Sequence, residues 1–392
     1  RSRVRVPSLP PVSISFKMKK IKNLVILYPS FDSGGVATNL VNFVNYCIKK
    51  NINIYLISDI KKKDQIKIFS QKVNFINIKG KALNFISKRL VTSLFSVFSL
   101  YKILKKLNKD NTITISFQSH ILPLISCFIM KRKIIIRNSE DAMEATKYAD
   151  YKISAYLILF FKFFFYDFSD GIITNSNKSK KSLQKITFIK NKIKLIYNPC
   201  LKNVLKTKKN MLRNNHILSV GRLCKQKNQE LLIKAFPYFL KKFPNYKLVL
   251  IGHGYDEIKL KKLCVKLNIN HNVIFYGQIN KIKKYYKKSK ILVLPSLYEG
   301  LPNVLIEAVN YGLPCISTDC SGSEDILTKK YGIFILRTNH KLLAEKMVYS
   351  IRNYKKVLSN NEKIKLRLNR FLIEVQASKY LEFSGNILNN NH

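Results

Sequence analysis

The sequence predicts an α/β fold of two doubly wound, Rossmann-like domains, and three observations support it. Short apolar, β-rich runs alternate with helix-period segments across residues 23–336. The runs are continuously apolar, as in "NLVILYP" and "KILVLPS", which marks parallel strands covered on both faces. The series also halts at the polar, aperiodic stretch "NPCLKNVLKTKKNMLRNN" and restarts at "HILSVGRL". With 392 residues there is material for two cores.

The first series reads as strands at 23–29, 52–58, 73–78, 112–117, 133–137 and 171–176. A helix opened by Gly34 and Gly35 follows the first strand, and a long basic amphipathic stretch spans 84–107. The second series places strands at 216–223, 246–254, 272–277, 290–296, 314–319 and 332–336, with helices after the first two. The expected division is an N-terminal domain at 18–205, a C-terminal domain at 206–372 and a helical tail at 373–392, with 358–388 able to pack back across both halves. Residues 1–17, "RSRVRVPSLPPVSISFK", use Arg and Pro where the rest uses Lys and Asn, and read as a foreign leader outside the fold. Ligands of such folds bind at the carboxyl ends of the strands.

Charge is the outlier. Lys and Arg number 71 against 22 Asp and Glu, a formal net of +49. That balance attracts polyanions: nucleic acid, an anionic membrane face or phosphorylated small molecules. A Lys-, Asn- and Ile-rich composition of the kind an AT-rich genome produces is the competing explanation. The seven cysteines are scattered, with no C-x-x-C pair, and read as reduced cytosolic thiols rather than a zinc or disulfide framework. No apolar run is long enough to span a bilayer; "ISAYLILFFKFFFYDF" at 153–168 is too short and is interrupted by Lys162.

The stretch "ILVLPSLYEGLPNVLIEAVNYGLPCIST" contains the most specific chemistry. A strand ends at "LPS", Pro302 reads as a first-turn residue of the next helix, and Gly312 and Pro314 stop that helix. First-turn amides around Asn303 to Leu305 then form an anion site. Glu299 precedes it, and Glu307 lies one turn in on the same face as Asn303. Acids so placed suit sugar hydroxyls. Glu299 could instead only complement the helix dipole, but an unpaired acid inside "NVLIEAV" would be costly, which favours a polar ligand.

"EGLPNVLIEA" resembles the E-x7-E signature of GT4 retaining glycosyltransferases, whose fold is GT-B, two Rossmann-like domains facing a central cleft. The resemblance runs over nearly the whole chain from Met18, through "SVGRLCKQKNQELLIKAF", "LIGHG", "VIFYG" and "STDCSGSEDIL". It implies that Glu299 contacts the donor sugar and Glu307 the nucleotide ribose. Arg222 and Lys227 would neutralise the leaving diphosphate, with His120 touching the donor sugar; these three and Glu299 form the expected catalytic set. Gly34, Gly35, Gly221, Gly300, Leu301, Pro302 and Asn303 join Glu307 as donor-binding positions. Glu324 is a weaker candidate, because Ser323 departs from the residues many relatives carry before it.

In the N-terminal half, Gly34 and Gly35 read equally well as a tight turn or as a loop admitting a ligand; no G-x-G-x-x-G supports a nicotinamide site. His120 follows a strand end and could equally be structural. Arg137 and Glu140 sit at the next strand end as acceptor-side candidates, and "IYNPC" reads as a hinge. No D-x-D motif is present to hold a divalent cation on a diphosphate, so no metal or other cofactor is expected and cationic side chains take that role. The resemblance implies transfer from a nucleotide sugar, with UDP as the expected base, to a saccharide or lipid-linked acceptor in surface-polysaccharide or lipopolysaccharide assembly. The expected location is cytoplasmic, with the basic-apolar stretches at 84–107 and 153–168 fitting peripheral attachment to an anionic membrane as well as ordinary core helices. A nucleic-acid binder, suggested by charge alone, and a GT-B epimerase or phosphorylase are the alternatives. Nucleic acid is not expected as a partner, since no recognisable module is present.

Overall fold

Continuously apolar strands need cover on both faces, and the chain supplies it twice. The computed structural model describes residues 21–31, 34–59, 66, 68, 69, 72–78, 88–206, 212–279 and 281–389. The leader at 1–17, the tail's last three residues, part of the basic stretch at 84–107 and part of the segment joining the two strand series lie outside them.

The first sheet is built from β1 (Asn23–Ser30), β2 (Asn53–Asp59), β3 (Val73–Asn77), β4 (Thr112–Ser116), β5 (Ile134–Asn138), β6 (Gly171–Thr174) and β7 (Ile193–Leu195). Its order is β3-β2-β1-β4-β5-β6-β7, all parallel. Helix α1 (Gly35–Lys49) covers one face, packing Leu40, Phe43 and Val44 against Leu24 and Ile26. The opposite face is covered by α2 (Lys88–Lys106), α3 (Ile121–Ile129), α4 (Ala142–Lys147), α5 (Lys152–Phe165) and α6 (Asn177–Gln184). β7 was not anticipated: its three residues read I-K-L at the sheet edge, too short for a pattern of their own.

The second sheet contains β8 (His216–Val220), β9 (Lys247–Ile251), β10 (Val273–Phe275), β11 (Ile291–Leu294), β12 (Cys315–Thr318) and β13 (Ile333–Ile335). It is ordered β10-β9-β8-β11-β12-β13 and is again parallel. Helices α7 (Gln229–Leu240), α8 (Glu257–Lys266) and α12 (His340–Arg352) pack on one face. The other holds α9 (Lys283–Lys288), α10 (Asn303–Asn310), the short α11 (Ser323–Leu327) and α13 (Tyr354–Lys365).

Strand order reverses between β1 and β4 in the first sheet and between β8 and β11 in the second. Such switch points open a crevice at the carboxyl ends of the strands. Gly34 and Gly35, His120, Arg222 and Lys227, and Glu299 follow these four strands, while Arg137 and Glu140 lie at the end of β5 and Glu307 within α10.

The segment 358–388 is two helices rather than one run. After α13 the chain turns through Leu368–Phe371 and enters α14 (Ile373–Asn389). α14 leaves the second domain and buries Ala377, Tyr380 and Leu388 in the first domain's core beside α1. The outbound and returning segments run side by side: Leu201 and Leu372 form a parallel bridge, with Cys200 N–H donating to Phe371 O at 3.1 Å and Ile373 N–H to Leu201 O at 2.8 Å.

Candidate active site between the two domains

The β8 and β11 loops are stitched together by hydrogen bonds of their own. Leu297 N–H donates to Gln226 O at 2.8 Å and the Gln226 amide to Tyr298 O at 3.2 Å. The stitching turns Lys227 toward Glu299: Nζ lies 2.5 Å from Oε1, which also accepts the Ser296 hydroxyl at 2.7 Å. Both side chains are largely buried, 17% and 9% exposed, so the attraction is screened far less than on the surface. The lysine's methylenes pass 3.4 Å from where a Cβ on Gly221 would stand, and Gly221 has φ +157. Arg222 is exposed and rests on Gln226 at 3.3 Å.

Helix α10 begins one residue later than the sequence suggested. Pro302 is its N-cap, with ψ 99 in the extended region, and Asn303 is its first helical residue. No side chain caps the start, and Leu305 N–H turns back to Pro302 O at 3.0 Å. The amides of Asn303 and Val304 therefore have no acceptor within the helix, and the dipole favours an anion there.

Glu307 is half-buried, and desolvation raises its carboxyl above the usual range, opposed by the Tyr286 hydroxyl and by Lys283. The Tyr286 hydroxyl donates to Oε2 at 2.8 Å. The acid is thus not unpaired, which corrects the expectation that a missing partner would point to a ligand. Oε2 is held by tyrosine, and the carboxylate retains acceptor capacity for a donor such as a sugar hydroxyl.

Asn303 connects the halves. Its amide donates to Asn39 Oδ1 at 2.9 Å and to Gly35 O at 3.4 Å, so the glycine-opened helix of the first domain meets the start of α10. Asn198, in the segment read only as a hinge, donates to Asn303 Oδ1 at 2.7 Å and to Leu301 O at 3.3 Å. A Cβ on Gly300 would lie 1.9 Å from Ser139 O of the first domain. Nothing comes within 4 Å of a Cβ on Gly34.

His120 stands at the end of β4, its Nδ1 2.9 Å from Ser116 Oγ. The Ser116 hydroxyl also reaches Gln118 O at 3.0 Å, which can only accept. One proton cannot serve both, so Nδ1–H donates to Ser116 and Nε2 is left as an acceptor. Burial, with Lys162 and Arg137 nearby, lowers its pKa to about 3 and keeps it neutral. Arg137 turns inward, 1% exposed, to the Tyr380 hydroxyl at 3.0 Å, Asn198 at 2.6 Å and Ser139. Glu140 lies 3.8 Å from Lys162. Glu324 is 3.8 Å from Lys178 and 4.0 Å from Lys329.

Residues not anticipated from sequence hold the halves together. Arg337 pairs with Glu144 across the cleft and with Asp319 at 3.0 Å in its own domain. Asn177 N–H donates to Asp325 at 3.0 Å, Lys178 to Asp319 O at 2.7 Å, and Ser321 to Asp141 at 2.7 Å. Lys225 pairs with Asp150 at 2.5 Å, and Tyr148 stacks on Tyr298 with centroids 6.4 Å apart. A cavity of about 270 Å³ beside Asp150 and Tyr255, and another of about 510 Å³ on α7 and α12, are lined by none of Arg222, Lys227, Glu299 or Glu307. Among the described residues no group of three His, Cys, Asp or Glu is placed to hold a metal ion.

Among solved structures, the chain resembles Anabaena HepE in complex with UDP and glucose at TM-score 0.75 and 15% identity, covering 93% of this chain and 98% of that one. The fold is GT-B. Residues 204–366, which hold most of the second GT-B domain, match the family described as Glycosyl transferases group 1. A glycosyltransferase of Methanocaldococcus jannaschii is 31% identical over 256 residues, 60% of this chain and 62% of the relative, so this match spans less than two thirds of that relative's length. A Campylobacter jejuni enzyme, named as an α-1,4-N-acetyl-D-galactosaminyltransferase acting on a GalNAc-containing diNAcBac-PP-undecaprenol, is 28% identical over 350 residues, 85% of this chain and 90% of the relative. Sequence and fold together support a GT-B glycosyltransferase.

Proposed function

We propose that the chain transfers a sugar, with retention of configuration, from a UDP-sugar to a saccharide or lipid-linked saccharide acceptor in surface-polysaccharide or lipopolysaccharide assembly. The observation behind this reading is the buried Lys227–Glu299 pair set against the uncapped start of α10 at the switch point of the second sheet. A diphosphate seated on the Asn303 and Val304 amides would share Lys227 with Glu299, leaving that carboxylate to orient sugar hydroxyls. Arg222 would reach the diphosphate from the exposed side. The ribose would meet Glu307. On the facing wall, His120 offers Nε2 to a donor-sugar hydroxyl.

In the reaction the bond between the anomeric carbon and the diphosphate oxygen breaks as the acceptor hydroxyl attacks the same face. The acceptor's proton passes to the departing phosphate oxygen. Lysine, arginine and helix amides stabilise the leaving charge where it develops, so turnover should survive EDTA. The lipid-linked acceptor is favoured by the name of the Campylobacter relative, and UDP by the ligand of the Anabaena structure.

The test is incubation with a panel of nucleotide sugars and a lipid-linked saccharide, following nucleotide release and the anomeric configuration of the product. Acceptor-dependent release of UDP with an unchanged anomer supports the reading. Conversion of the sugar nucleotide without acceptor would instead indicate an epimerase, and stabilisation by oligonucleotide but by no nucleotide would replace the transferase altogether.

A further inference from the structure

α5 is a fourteen-residue helix, KISAYLILFFKFFF, with no buried residue. Its inner stripe is Ala155, Leu159 and Lys162, only partly exposed, while Ile153, Tyr156, Leu157, Phe160 and Phe164 stand 52–88% exposed on the outside. Ring contacts extend this surface without a break. From Phe188 they pass through six phenylalanines of α5 and the turn after it to Phe128 of α3, with no centroid separation above 6.2 Å. Helix α3 packs against both α5 and α2, and α2 presents a second exposed row of Leu94, Phe95 and Phe98.

We infer that this face seats the enzyme on an anionic lipid bilayer, its aromatic rings among the acyl chains and the surrounding lysines on headgroup phosphates. The charge around it selects that occupant. Lys131, Lys152 and Lys190 are exposed beside the rings, and Lys102 lies over Phe98 at 4.3 Å. The nearby acids are engaged: Asp167 accepts from Phe188 and Ile189 N–H, Asp170 pairs with Lys133, and Asp150 with Lys225. Two copies meeting through this face would oppose lysine to lysine in a chain of net +49, whereas phosphate headgroups complement it. Among the described residues no helix is long and apolar enough to cross a membrane, so the contact is interfacial.

The placement also bears on the active site, and here the inference rests on the proposed function. Lys162, on the inner stripe of α5, reaches Glu140 and acts on His120. The membrane face therefore lies one helix thickness from the cleft's first-domain wall, where a lipid-borne acceptor would present its sugar.

The experiment is flotation of the full chain with phosphatidylcholine vesicles with and without phosphatidylglycerol. Co-flotation is expected with the anionic vesicles, weakening as salt rises. Ile153→Glu with Phe160→Glu should reduce it at least tenfold while leaving the melting temperature and its rise with UDP unchanged, since both residues are exposed. Lys152→Glu with Lys190→Glu should remove the salt-sensitive part. Wild-type protein left unbound on anionic vesicles overturns the inference, as does undiminished flotation of the Ile153/Phe160 variant. So does a sedimenting dimer that this variant converts to monomers without any vesicle binding. A UDP shift that persists in an unbound protein would show the failure to be the membrane's and not the donor site's.

Discussion

Lys227 and Glu299 form a 2.5 Å ion pair that ties the loop after β8 to the loop after β11, and the Ser296 hydroxyl fixes the same carboxylate oxygen. Both partners belong to the protein's own loops, and charge held in place by the fold needs little reorganisation at the moment of reaction. Any diphosphate arriving at α10 must compete for, or share, that lysine.

Glu299→Gln keeps the shape but releases Lys227 from its counter-charge. The expected outcome is a fall in kcat of about 100-fold, equivalent to about 2.7 kcal/mol of lost transition-state stabilisation, with UDP affinity equal or tighter. Steady-state kinetics and UDP calorimetry check it; a loss of UDP affinity with kcat intact would assign Glu299 to ground-state binding instead.

If Glu307 meets the nucleotide as proposed, donor binding depends on pH. Its folded carboxyl titrates above the usual range because it is desolvated, and the Tyr286 hydroxyl partly offsets that rise. Donor hydroxyls require the ionised form as acceptor, so UDP affinity should weaken as pH falls through the raised pKa. Tyr286→Phe removes the offset and should move the midpoint to higher pH. Affinity measured across pH 5 to 8 checks this; identical profiles in both proteins would show that Glu307 does not face the nucleotide.

His120 contributes to acid sensitivity with a defined sign. Its folded pKa is lowered to about 3 from 6.5, so between those values the unfolded chain binds the proton and the folded chain does not. Stability from this group therefore falls as pH drops below about 6.5, by about 1–2 kcal/mol at pH 5. Denaturant unfolding of wild type and His120→Asn at pH 7 and pH 5 should show a shallower loss in the variant. Parallel losses would mean that the imidazole is protonated in the fold.

Gly300→Ala tests closure. The added Cβ would stand 1.9 Å from Ser139 O, a backbone atom of the other domain. Each sheet keeps its own packing, so the thermal transition should persist while the halves are held apart. Turnover should drop at least tenfold, and small-angle scattering should report a larger radius of gyration. An unchanged radius with full activity would show that this approach is dispensable.

The two sheets and the four strand ends that flank the crevice were legible because buried parallel strands write continuous apolar runs, and because Gly34, His120, Arg222 and Glu299 each follow one of them within five residues. What stayed hidden depends on pairing across distance. Arg337 and Glu144 are 193 positions apart and Asn198 and Asn303 are 105 apart; no local period announces either contact. Tyr286 as the partner of Glu307 was equally invisible, being a tyrosine among lysines on a six-residue helix. Arg137 shows a contact that sequence reading did not anticipate. A cation at a strand end invites a ligand role, and in the structure its guanidinium meets Tyr380 of α14 and Asn198, residues 243 and 61 positions away.

The side-by-side passage of Leu201 and Leu372 has a mechanical corollary. The polypeptide leaves the first domain and re-enters it at one doorway, so the second domain is topologically an insert hung from a paired strap. A single strand would let it swivel; two strands bridged to each other resist torsion and favour opening along one direction, like a page turning on its spine. Cutting either strand of the strap would therefore leave both domains folded and the α10 amides intact, while dissolving the alignment that brings Asn39, Asn198 and Asn303 together.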